Sequence, residues 1–476
     1  MLLKHILEKK MLATRLPLNL GPIHFIGIGG IGMSGIAEVL FNLGYSVQGS
    51  DIKSTKITKR LSSLGVNIFY EHKGENVNNS SVVVISSAIT SDNVELILAK
   101  QLGIPVVFRA EMLAELMRMK LNVVVAGSHG KTTTTSLVAS IAELGNLDPT
   151  VINGGVIKAY GSNARLGEGE WMVVEADESD GSFNKLPVTI AIVTNIDKEH
   201  LDYYTSFLNL KRAFEKFILS IPFYGVAVCC IDDKHVANVI SKVNDRKIIT
   251  YGFSEKADVT IRNLRINDQG TMFDLDDKIA NIYLRDFYLP MIGQHNALNA
   301  CAAILAASNL SIPIKFIKNA LANFEGVSRR FTRVGFFNGA TIIDDYAHHP
   351  AEIEAVISAA KEITKKRIIV VHQPHRYSRL KALFTDFNKC FKGADILGIT
   401  PVFAAGESQT DGFDSKTLIK SFMKSERQKV EYIEDEVSFG KFLKNNCNRG
   451  DIFLALGAGS ITNWVNNLSY LTEQPG

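Results

Sequence analysis

Short apolar runs alternate with helical patterns along most of this chain. The first run covers residues 24–28, glycines follow it, and residues 33–43 have the pattern of a helix. Further strands are predicted to begin at residue 46 and to cover residues 82–85 and 106–108. Strands that alternate with helices form parallel sheets, so this part of the chain is predicted to be an α/β domain.

The same pattern begins again at two later points. Residues 122–126 form a buried type of strand that runs into a glycine loop and the helical stretch 133–144. A third start lies near residues 340–344. The other predicted strands are 171–175, 190–194, 227–231, 367–372, 396–400 and 452–455, and the remaining predicted helix is 297–307.

Three successive α/β domains follow from these three starts. We predict a Rossmann-like N-terminal domain at residues 1–120, a P-loop ATPase-like central domain at 121–327 and a Rossmann-like C-terminal domain at 328–476. The length of 476 residues agrees with this division, because domains commonly hold about 100 to 200 residues.

Charge and cysteine content narrow the classes of partner. The chain has 52 Lys and Arg against 49 Asp and Glu, and this balance argues against a nucleic-acid binder that depends on bulk charge. Five cysteines without a C-x-x-C spacing argue against a disulfide framework and favour a reducing cytoplasm. Lysines and arginines interrupt the first 21 residues, so neither a signal peptide nor membrane insertion is predicted.

The first candidate site is the segment GIGGIGM, residues 27–33, between a predicted strand and a predicted helix. Glycines at such a junction let backbone N–H groups approach a pyrophosphate at the positive end of the helix. Asp51 follows the second strand, where a carboxylate can bind a ribose hydroxyl. A dinucleotide, a nucleotide sugar and a purely structural turn all remain compatible with this pattern.

The second candidate is GSHGKTTTT, residues 127–135. It contains the Gly-Lys-Thr of a P-loop, in which Lys131 reaches the β and γ phosphates of a nucleotide and the Thr132 hydroxyl ligates Mg2+. Its first glycine, Gly127, lies only three positions before Gly130, and Val125 occupies the usual glycine position. The segment nevertheless predicts a nucleoside triphosphate site.

Acidic residues follow two of the central strands. Glu175 opens the sequence EADESD, and His200 follows the sequence TNID at residues 194–197. Oxygen ligands with one imidazole suit Mg2+, with Mn2+ as the alternative. A solvated loop is the other interpretation of the acidic segment. Beside a P-loop, we predict that Glu175 and His200 are metal ligands together with Thr132.

Three further polar segments lie toward the C-terminus. GQHNALN, residues 293–299, opens a predicted helix, where asparagine also serves as a simple cap. DDYAHHP, residues 344–350, and HQPHRYSR, residues 372–379, each lie at the end of a predicted strand, and Arg329 and Arg330 precede them. Guanidinium groups at such strand ends suit carboxylate or phosphate oxygens.

These segments together resemble the motifs of the Mur ligases of peptidoglycan synthesis, over nearly the whole chain from about residue 22 to about residue 464. GSHGKTTT, EADESD, TNID with His200, GQHNALN and DDYAHHP are similar to motifs of that family. HFIGIGGIGMSGIAE and HQPHRYSR resemble its alanine-adding members. The resemblance implies an N-terminal domain for a UDP-sugar, a central domain for ATP and a C-terminal domain that closes over both.

The resemblance also implies a reaction and its residues. The reaction is ATP-dependent ligation of L-alanine to the lactoyl carboxylate of UDP-N-acetylmuramate through an acyl phosphate. The implied UDP-sugar residues are Gly27, Gly29, Gly30, Gly32, Met33, Ser50 and Asp51. The predicted ATP residues are Gly127, Ser128, His129, Gly130, Lys131, Thr132, Thr133, Asn296, Arg330 and Asp345. The residues predicted to act in catalysis or at the alanine end are Lys131, His200, Tyr346, His348, Arg376 and Arg379.

Other functions stay open at this point. An NAD-dependent oxidoreductase accounts for residues 27–51 but leaves the P-loop unexplained. A P-loop module that hydrolyses ATP without ligation is a second rival, and a ligase that takes a tripeptide in place of alanine is a third. We predict a cytoplasmic enzyme, a monomer or homodimer, that needs no nucleic acid or membrane partner.

Overall fold

The structure is a computed structural model, and it describes residues 21–423, 429–469 and 471–472. The prediction about a signal peptide concerns a segment that falls almost entirely outside these residues. The chain divides into two compact units. The first comprises residues 1–262, 274–287 and 298–325, and the second comprises residues 263–273, 288–297 and 326–476.

The N-terminal sheet is parallel and has the strand order β3-β2-β1-β4-β5. Its strands are β1 (Ile23–Ile26), β2 (Val47–Ser50), β3 (Asn67–Phe69), β4 (Val82–Ile85) and β5 (Val106–Phe108). Its helices are α1 (Ile31–Asn42), α2 (Lys56–Leu64), α3 (Val94–Gln101) and α4 (Arg109–Met117), with a 3-10 helix at Gly74–Val77. Strand β1 ends two residues before the predicted position because Gly27 turns the chain with a φ of 77°.

The central sheet has ten strands in the order β15-β14-β13-β12-β11-β10-β6-β9-β7-β8. Its strands are β6 (Leu121–Ala126), β7 (Thr150–Ile157), β8 (Ser162–Arg165), β9 (Trp171–Glu175), β10 (Ile190–Val193), β11 (Val226–Cys230), β12 (Ile248–Gly252), β13 (Val259–Asn267), β14 (Gly270–Asp277) and β15 (Ile282–Leu289). Its helices are α5 (Lys131–Leu144), α6 (Leu201–Tyr204), α7 (Phe207–Leu219), α8 (Lys234–Ile240), α9 (Gln294–Asn309) and α10 (Ile314–Ala322), with 3-10 helices at Lys158–Tyr160 and Ser182–Lys185.

The C-terminal sheet has the order β16-β17-β21-β18-β19-β20, and only β16 runs antiparallel to its neighbour. Its strands are β16 (Thr332–Phe337), β17 (Ala340–Asp345), β18 (Ile368–His372), β19 (Ile396–Ile399), β20 (Lys429–Tyr432) and β21 (Ile452–Leu456). Its helices are α11 (Pro350–Ile363), α12 (Tyr377–Ala382), α13 (Phe384–Cys390), α14 (Ser415–Met423), α15 (Glu436–Asn446) and α16 (Ile461–Asn466).

Three mainly parallel sheets with helices confirm the predicted three-domain α/β fold. The central strands are buried at every residue of β1, β10 and β21, and they are apolar except for His24 in β1. Strands covered on both faces have this continuous apolar composition, which is why the sequence identified them. The antiparallel β7–β8 hairpin was not predicted, because glycines and polar residues interrupt the apolar pattern of its strands.

The five cysteines are free and buried. Burial raises the pKa of Cys230 to about 12, and it does the same for Cys447. All five cysteines are therefore buried thiols in this structure. Among the described residues, no helix is both long enough and apolar enough to cross a membrane.

Candidate functional site

The N-terminal glycine loop is fastened to the end of the second strand. The backbone N–H of Gly29 donates to Asp51 Oδ2 over 3.0 Å, and that of Lys53 donates to Asp51 Oδ1 over 3.0 Å. A Cβ atom at Gly29 would lie 2.7 Å from Asp51 Oδ2, so this position has no space for a side chain. Asp51 thus holds the shape of the loop, in addition to any contact it makes with a ligand.

The other predicted UDP-sugar residues line the loop and the first turn of α1. Gly30 is the N-terminal cap of this helix and has extended backbone angles. Met33 is buried in the core, and Gly32 lies against the Arg109 side chain, whose Nη1 would be 3.0 Å from a Cβ atom there. Ser50 is fully buried and donates its hydroxyl to Glu95 Oε2 over 2.6 Å. The Ser50 hydroxyl therefore points into the domain.

Arg109 connects the glycine loop to the acidic segment of the central domain. Its guanidinium Nη2 donates to Asp177 Oδ2 over 2.9 Å. Burial tends to raise the pKa of Asp177, but Arg109 and hydrogen bonds from Ser179 hold it below its usual value. Arg109 is not among the predicted site residues, because a single arginine after a strand is a common surface feature.

The P-loop begins directly after β6, at the carboxyl end of the central sheet. Gly127 and Gly130 have φ values of 138° and 81°, which favour glycine, and Lys131 is the first residue of α5. Lys131 Nζ donates to the carbonyl oxygen of Gly127, to that of Ser128 over 3.1 Å and to Glu178 Oε1 over 2.8 Å. The ammonium group thus lies folded back over its own loop.

The loop is held by the segment that follows β10. The backbone N–H of His129 donates to Asn195 Oδ1 over 2.8 Å, and Thr194 Oγ1 donates to the His129 carbonyl over 2.7 Å. The backbone N–H of Asp197 donates to Ser128 Oγ over 2.8 Å. These hydrogen bonds join the P-loop to the segment after the neighbouring strand.

Thr132 and Glu175 lie together, as the sequence predicted. Thr132 Oγ1 donates to Glu175 Oε1 over 3.1 Å, and the backbone N–H of Gly154 donates to Glu175 Oε2 over 2.7 Å. Thr133 is buried one position further along α5. The hydroxyl and the carboxylate are the oxygen pair expected near the phosphates of a bound nucleotide.

His200 lies with two carboxylates that the sequence analysis did not include among the metal ligands. His200, Glu178 and Glu199 each place a ligand atom within 4.8 Å of the others. Glu178 is 2% exposed, and its Oε2 has no hydrogen-bond partner among the described residues. A buried carboxylate oxygen without a donor fits a divalent cation, so these three residues can hold one.

Burial and charge act in opposite directions on this group. Burial raises the pKa of Glu178 to about 7, although Lys131 opposes the rise. For Lys131, burial lowers the pKa, but the negative charges of Glu178 and Glu175 outweigh it and keep the pKa above its ordinary value. Lys131 is therefore charged at neutral pH, and Glu178 needs positive charge beside it to stay ionised.

The asparagines of α9 have different environments. Asn299 is buried, and its Oδ1 accepts from Thr134 Oγ1 over 3.2 Å. The same oxygen would lie 2.5 Å from a Cβ atom at Gly130, so Asn299 closes off one side of the P-loop. Asn296 is also buried, and its Nδ2 donates to the Ile292 carbonyl over 2.8 Å. A capping asparagine instead accepts from a backbone N–H through its side-chain oxygen, so this contact is not a helix cap.

A second cluster lies at the carboxyl ends of the C-terminal strands. Asp345 is buried and accepts from the backbone N–H groups of Phe331 and Ala347, over 2.6 and 2.7 Å. Burial raises the pKa of Asp345 to about 6, and Arg330 opposes the rise. The guanidinium of Arg330 lies 5.4 Å from the centre of the Tyr346 ring. Arg330, Asp345 and Tyr346 therefore lie close to one another.

The HQPHRYSR segment joins this cluster through His348. The His348 ring lies 5.7 Å from the His375 ring, and Arg379 Nη1 lies 3.2 Å from His375 Nδ1. Burial, with a smaller contribution from nearby cationic groups, lowers the pKa of His375 to about 3. Arg376 precedes α12 with a φ of 70°. The structure therefore places Tyr346, His348 and Arg379 in one neighbourhood.

Three family models match successive parts of the chain. They are described as "Mur ligase family, catalytic domain" over residues 22–121, "Mur ligase middle domain" over 125–307 and "Mur ligase, glutamate ligase domain" over 329–459. The chain belongs to the Mur ligase family, whose members are ATP-dependent ligases.

Two relatives within that family have the same name. A UDP-N-acetylmuramate–L-alanine ligase of Roseobacter denitrificans is 53% identical over 456 residues, which cover 96% of this chain and 97% of that protein. The protein of the same name from Paracoccus denitrificans is 53% identical and covers 97% of this chain and 99% of its own length.

Solved structures agree in fold. The crystal structure of UDP-N-acetylmuramate–alanine ligase from Thermotoga maritima matches with a TM-score of 0.78 and 29% identity, and covers 93% of this chain and 97% of that one. A murein peptide ligase from Psychrobacter arcticus matches with a TM-score of 0.69 and 21% identity, and covers 95% of this chain and 100% of that one. The second match concerns the fold alone.

The conformation of Gly127 gives a first testable prediction. In Gly127→Ala the new methyl group would overlap Thr194 Oγ1 and would lie 3.1 Å from the Asn195 carbonyl oxygen, at a φ that alanine rarely adopts. We expect a loss of about 2 to 4 kcal/mol in the free energy of unfolding, measured by urea denaturation. The matched control is Gly161→Ala, which has a φ of 59° and no atom within 4 Å, and should lose only about 1 kcal/mol. Equal losses would contradict the steric argument.

Proposed function

We propose that this protein ligates L-alanine to the lactoyl carboxylate of UDP-N-acetylmuramate and converts ATP to ADP and phosphate. The observation that carries the proposal is the arrangement around Lys131, in which a P-loop, Thr132 with Glu175 and the Glu178 group adjoin one another. The substrates are taken from the names of two relatives that are each 53% identical.

The first step must make a carboxylate reactive. A carboxylate resists attack by an amine because it is already negative and its oxygen is a poor leaving group. In the proposed step, a carboxylate oxygen of the sugar attacks the γ phosphorus of ATP, the bond to the bridging oxygen breaks, and ADP leaves. Lys131, which is charged at neutral pH, turns from Glu178 to the β and γ phosphates and stabilises the charge that develops there.

A divalent cation, Mg2+ or Mn2+, would be held by Glu178, Glu199 and His200. Thr132 and Glu175 lie nearby. A divalent cation supplies neutralisation of phosphate charge and orientation of the phosphate oxygens. The acidic residues need such a cation, because without positive charge beside them they would repel an incoming anionic substrate.

The second step forms the amide. The neutral amine of alanine attacks the acyl phosphate carbon, a tetrahedral intermediate forms, and phosphate leaves while the amine proton passes to solvent or a base. We assign the alanine end to Tyr346, His348, Arg376 and Arg379, because a guanidinium fork suits the carboxylate of the amino acid. Arg330 and Asp345 in the same cluster are assigned to the ATP side.

The remaining assignments follow from the same scheme. We assign the UDP-sugar to the glycine loop at residues 27–33, because the N–H groups of a helix N-terminus suit a pyrophosphate. We place the reaction in the cytoplasm, where ATP is present and where five free thiols remain reduced. The domain at residues 1–120 would then bind the UDP-sugar and the domain at 121–327 would bind ATP. The domain at 328–476 would close over both.

Phosphate release tests the proposed reaction. ATP, Mg2+ and UDP-N-acetylmuramate are mixed with each member of a panel of amino acids and with the tripeptide L-Ala-D-Glu-diaminopimelate. We expect release that depends on the sugar and on L-alanine. Release without either substrate would support a simple ATPase, and release with the tripeptide alone would support a recycling ligase.

The amino-acid panel also tests specificity. One methylene group in a pocket changes binding by a limited amount, so glycine and serine should be used about 10- to 200-fold less well than alanine in kcat/KM. The comparison is made by identifying the UDP-sugar product by mass spectrometry. Equal use of leucine would rule out a small side-chain pocket.

A further inference from the structure

Six polar side chains form a cluster inside the N-terminal domain, which we call the Glu95 cluster. Its members come from strands β1 and β2, from the segment after β3 and from the start of helix α3. They are His24, Gln48, Ser50, His72, Asn76 and Glu95. A polar group of this size is costly to bury unless its members satisfy one another.

Glu95 is the acceptor at the centre of the cluster. Its side chain is 0% exposed. Oε2 accepts from Ser50 Oγ over 2.6 Å and lies 3.0 Å from His72 Nδ1. Oε1 accepts from Asn76 Nδ2 over 2.6 Å and lies 3.7 Å from His24 Nε2. Every neighbour of the carboxylate is therefore a donor or can be one.

This arrangement determines the charge of Glu95. Burial alone would raise its pKa, but His24, Ser50, Asn76 and His72 together lower it to about 2. Glu95 is ionised at neutral pH, and an ionised carboxylate can only accept hydrogen bonds.

The charge of Glu95 in turn determines the proton position on His72. Nδ1 of His72 also lies 3.1 Å from Ser50 Oγ, which gives its own proton to Glu95 Oε2. Because Oε2 can only accept and the Ser50 proton is used there, we infer that Nδ1 carries a proton directed at the carboxylate. The other ring nitrogen, Nε2, has no hydrogen-bond partner among the described residues, and the side chain is 24% exposed. In the neutral imidazole, Nε2 is then an acceptor directed away from the cluster.

The position of His72 suggests what it accepts from. His72 lies three residues after the end of β3, and Ser50 is the last residue of β2. Ligands of parallel sheets gather at this carboxyl edge, and in dinucleotide-binding folds the nucleoside lies beyond the end of β2 while the pyrophosphate lies at the glycine loop. Both carboxylate oxygens of Asp51 already accept backbone N–H groups there.

We propose that Glu95 is a positioning residue that keeps His72 protonated on Nδ1, so that His72 Nε2 accepts a hydrogen bond from the uridine end of the nucleotide sugar. The proposal rests on the function proposed above, and it adds a residue that the glycine-loop motif does not include. The donor on the ligand is a ribose hydroxyl or the N–H of uracil, which share this chemistry.

The main test is Glu95→Gln. The amide replaces a carboxylate oxygen by an N–H donor, which would face other donors such as the protonated Nδ1 of His72. The conflict is relieved when His72 changes tautomer, so that Nε2 carries the proton. We expect the Kd for UDP-N-acetylmuramate, measured by isothermal titration calorimetry, to rise about 10- to 100-fold. The Kd for ATP and kcat at saturating sugar should stay within about twofold of wild type, because neither depends on the uridine end.

Controls separate this role from a loss of folding. Glu75→Gln changes an exposed carboxylate of the same domain and should leave all three constants unchanged. His72→Ala leaves Glu95 in place and should raise the same Kd by a similar factor. The 15N chemical shifts of His72 should show protonated Nδ1 in wild type and a changed tautomer in Glu95→Gln.

The outcomes distinguish the two proposals. If the wild-type protein does not bind UDP-N-acetylmuramate, the proposed function fails. If it binds, but Glu95→Gln and His72→Ala bind equally well, the role of Glu95 is wrong. UDP analogues that lack the 2′-hydroxyl, lack the 3′-hydroxyl or carry a methyl group on N3 identify the donor, because the analogue without it should bind wild type and variants alike. If all three analogues still favour wild type, His72 does not contact the nucleoside and the proposal is overturned.

Discussion

Replacement of Lys131 by alanine is expected to lower kcat by about 1,000-fold while the Kd for UDP-N-acetylmuramate stays unchanged. Lys131 is the cationic side chain that contacts the P-loop carbonyls and Glu178. Without it, the γ phosphate and the incoming carboxylate meet with less positive charge between them, and the transition state loses a fixed charge in a buried site. Single-turnover formation of the acyl phosphate, trapped chemically, measures the step directly.

The controls for Lys131 separate the loss of one charge from a general effect. Lys242→Ala removes an exposed lysine of the central domain and should keep the activity of wild type. Circular dichroism should show that Lys131→Ala is folded, because Glu178, whose pKa burial raises to about 7, can take up a proton when its partner is removed. Near-normal acyl phosphate formation in Lys131→Ala would refute the role assigned to this residue.

Replacement of Glu178 by glutamine is expected to lower activity by about 100-fold and to raise the Mg2+ concentration needed for half-maximal rate. The carboxylate is the most buried of the three proposed ligands, and its Oε2 lacks a donor among the described residues. A neutral amide of the same shape removes the charge that a cation requires. Calorimetric titration with Mn2+ gives a direct measure of cation binding, independent of turnover.

The stability of Glu178→Gln should change much less than its activity. Because burial already favours the neutral form of Glu178, the glutamine side chain should fold without a large penalty, and Tm should stay within a few degrees of wild type. Glu168→Gln, at an exposed position of the same domain, is the matched control and should change neither activity nor Mn2+ affinity. Unchanged Mn2+ affinity in Glu178→Gln would exclude Glu178 as a ligand.

The sequence predicted the fold more completely than the geometry of the site. The strands at the centre of each sheet are continuous apolar runs, and the glycine loops mark the first strand of two domains, so three α/β domains could be predicted. The β7–β8 hairpin was missed because polar and small residues occupy it. The hairpin packs against α1, which is distant in sequence, and a local sequence pattern does not reveal this stabilising contact.

The candidate site shows a similar limit. Motifs indicated Lys131, Thr132 and Glu175, which contact one another or share partners. They did not indicate that Glu178 is the carboxylate paired with Lys131, because EADESD offers several carboxylates and only the turn after β9 decides which one points inward. Ser50 was predicted from its place beside Asp51, yet its hydroxyl points to Glu95, 45 positions away in sequence.

The burial of all five cysteines has a practical use. Thiol reagents react with the thiolate, and these thiols are inaccessible and have pKa values raised by burial, so the native protein should react slowly with maleimides. A single cysteine introduced at an exposed position would then carry a fluorophore or spin label without removal of the native residues. Pairs of such labels would allow motions between domains to be followed as distances in solution.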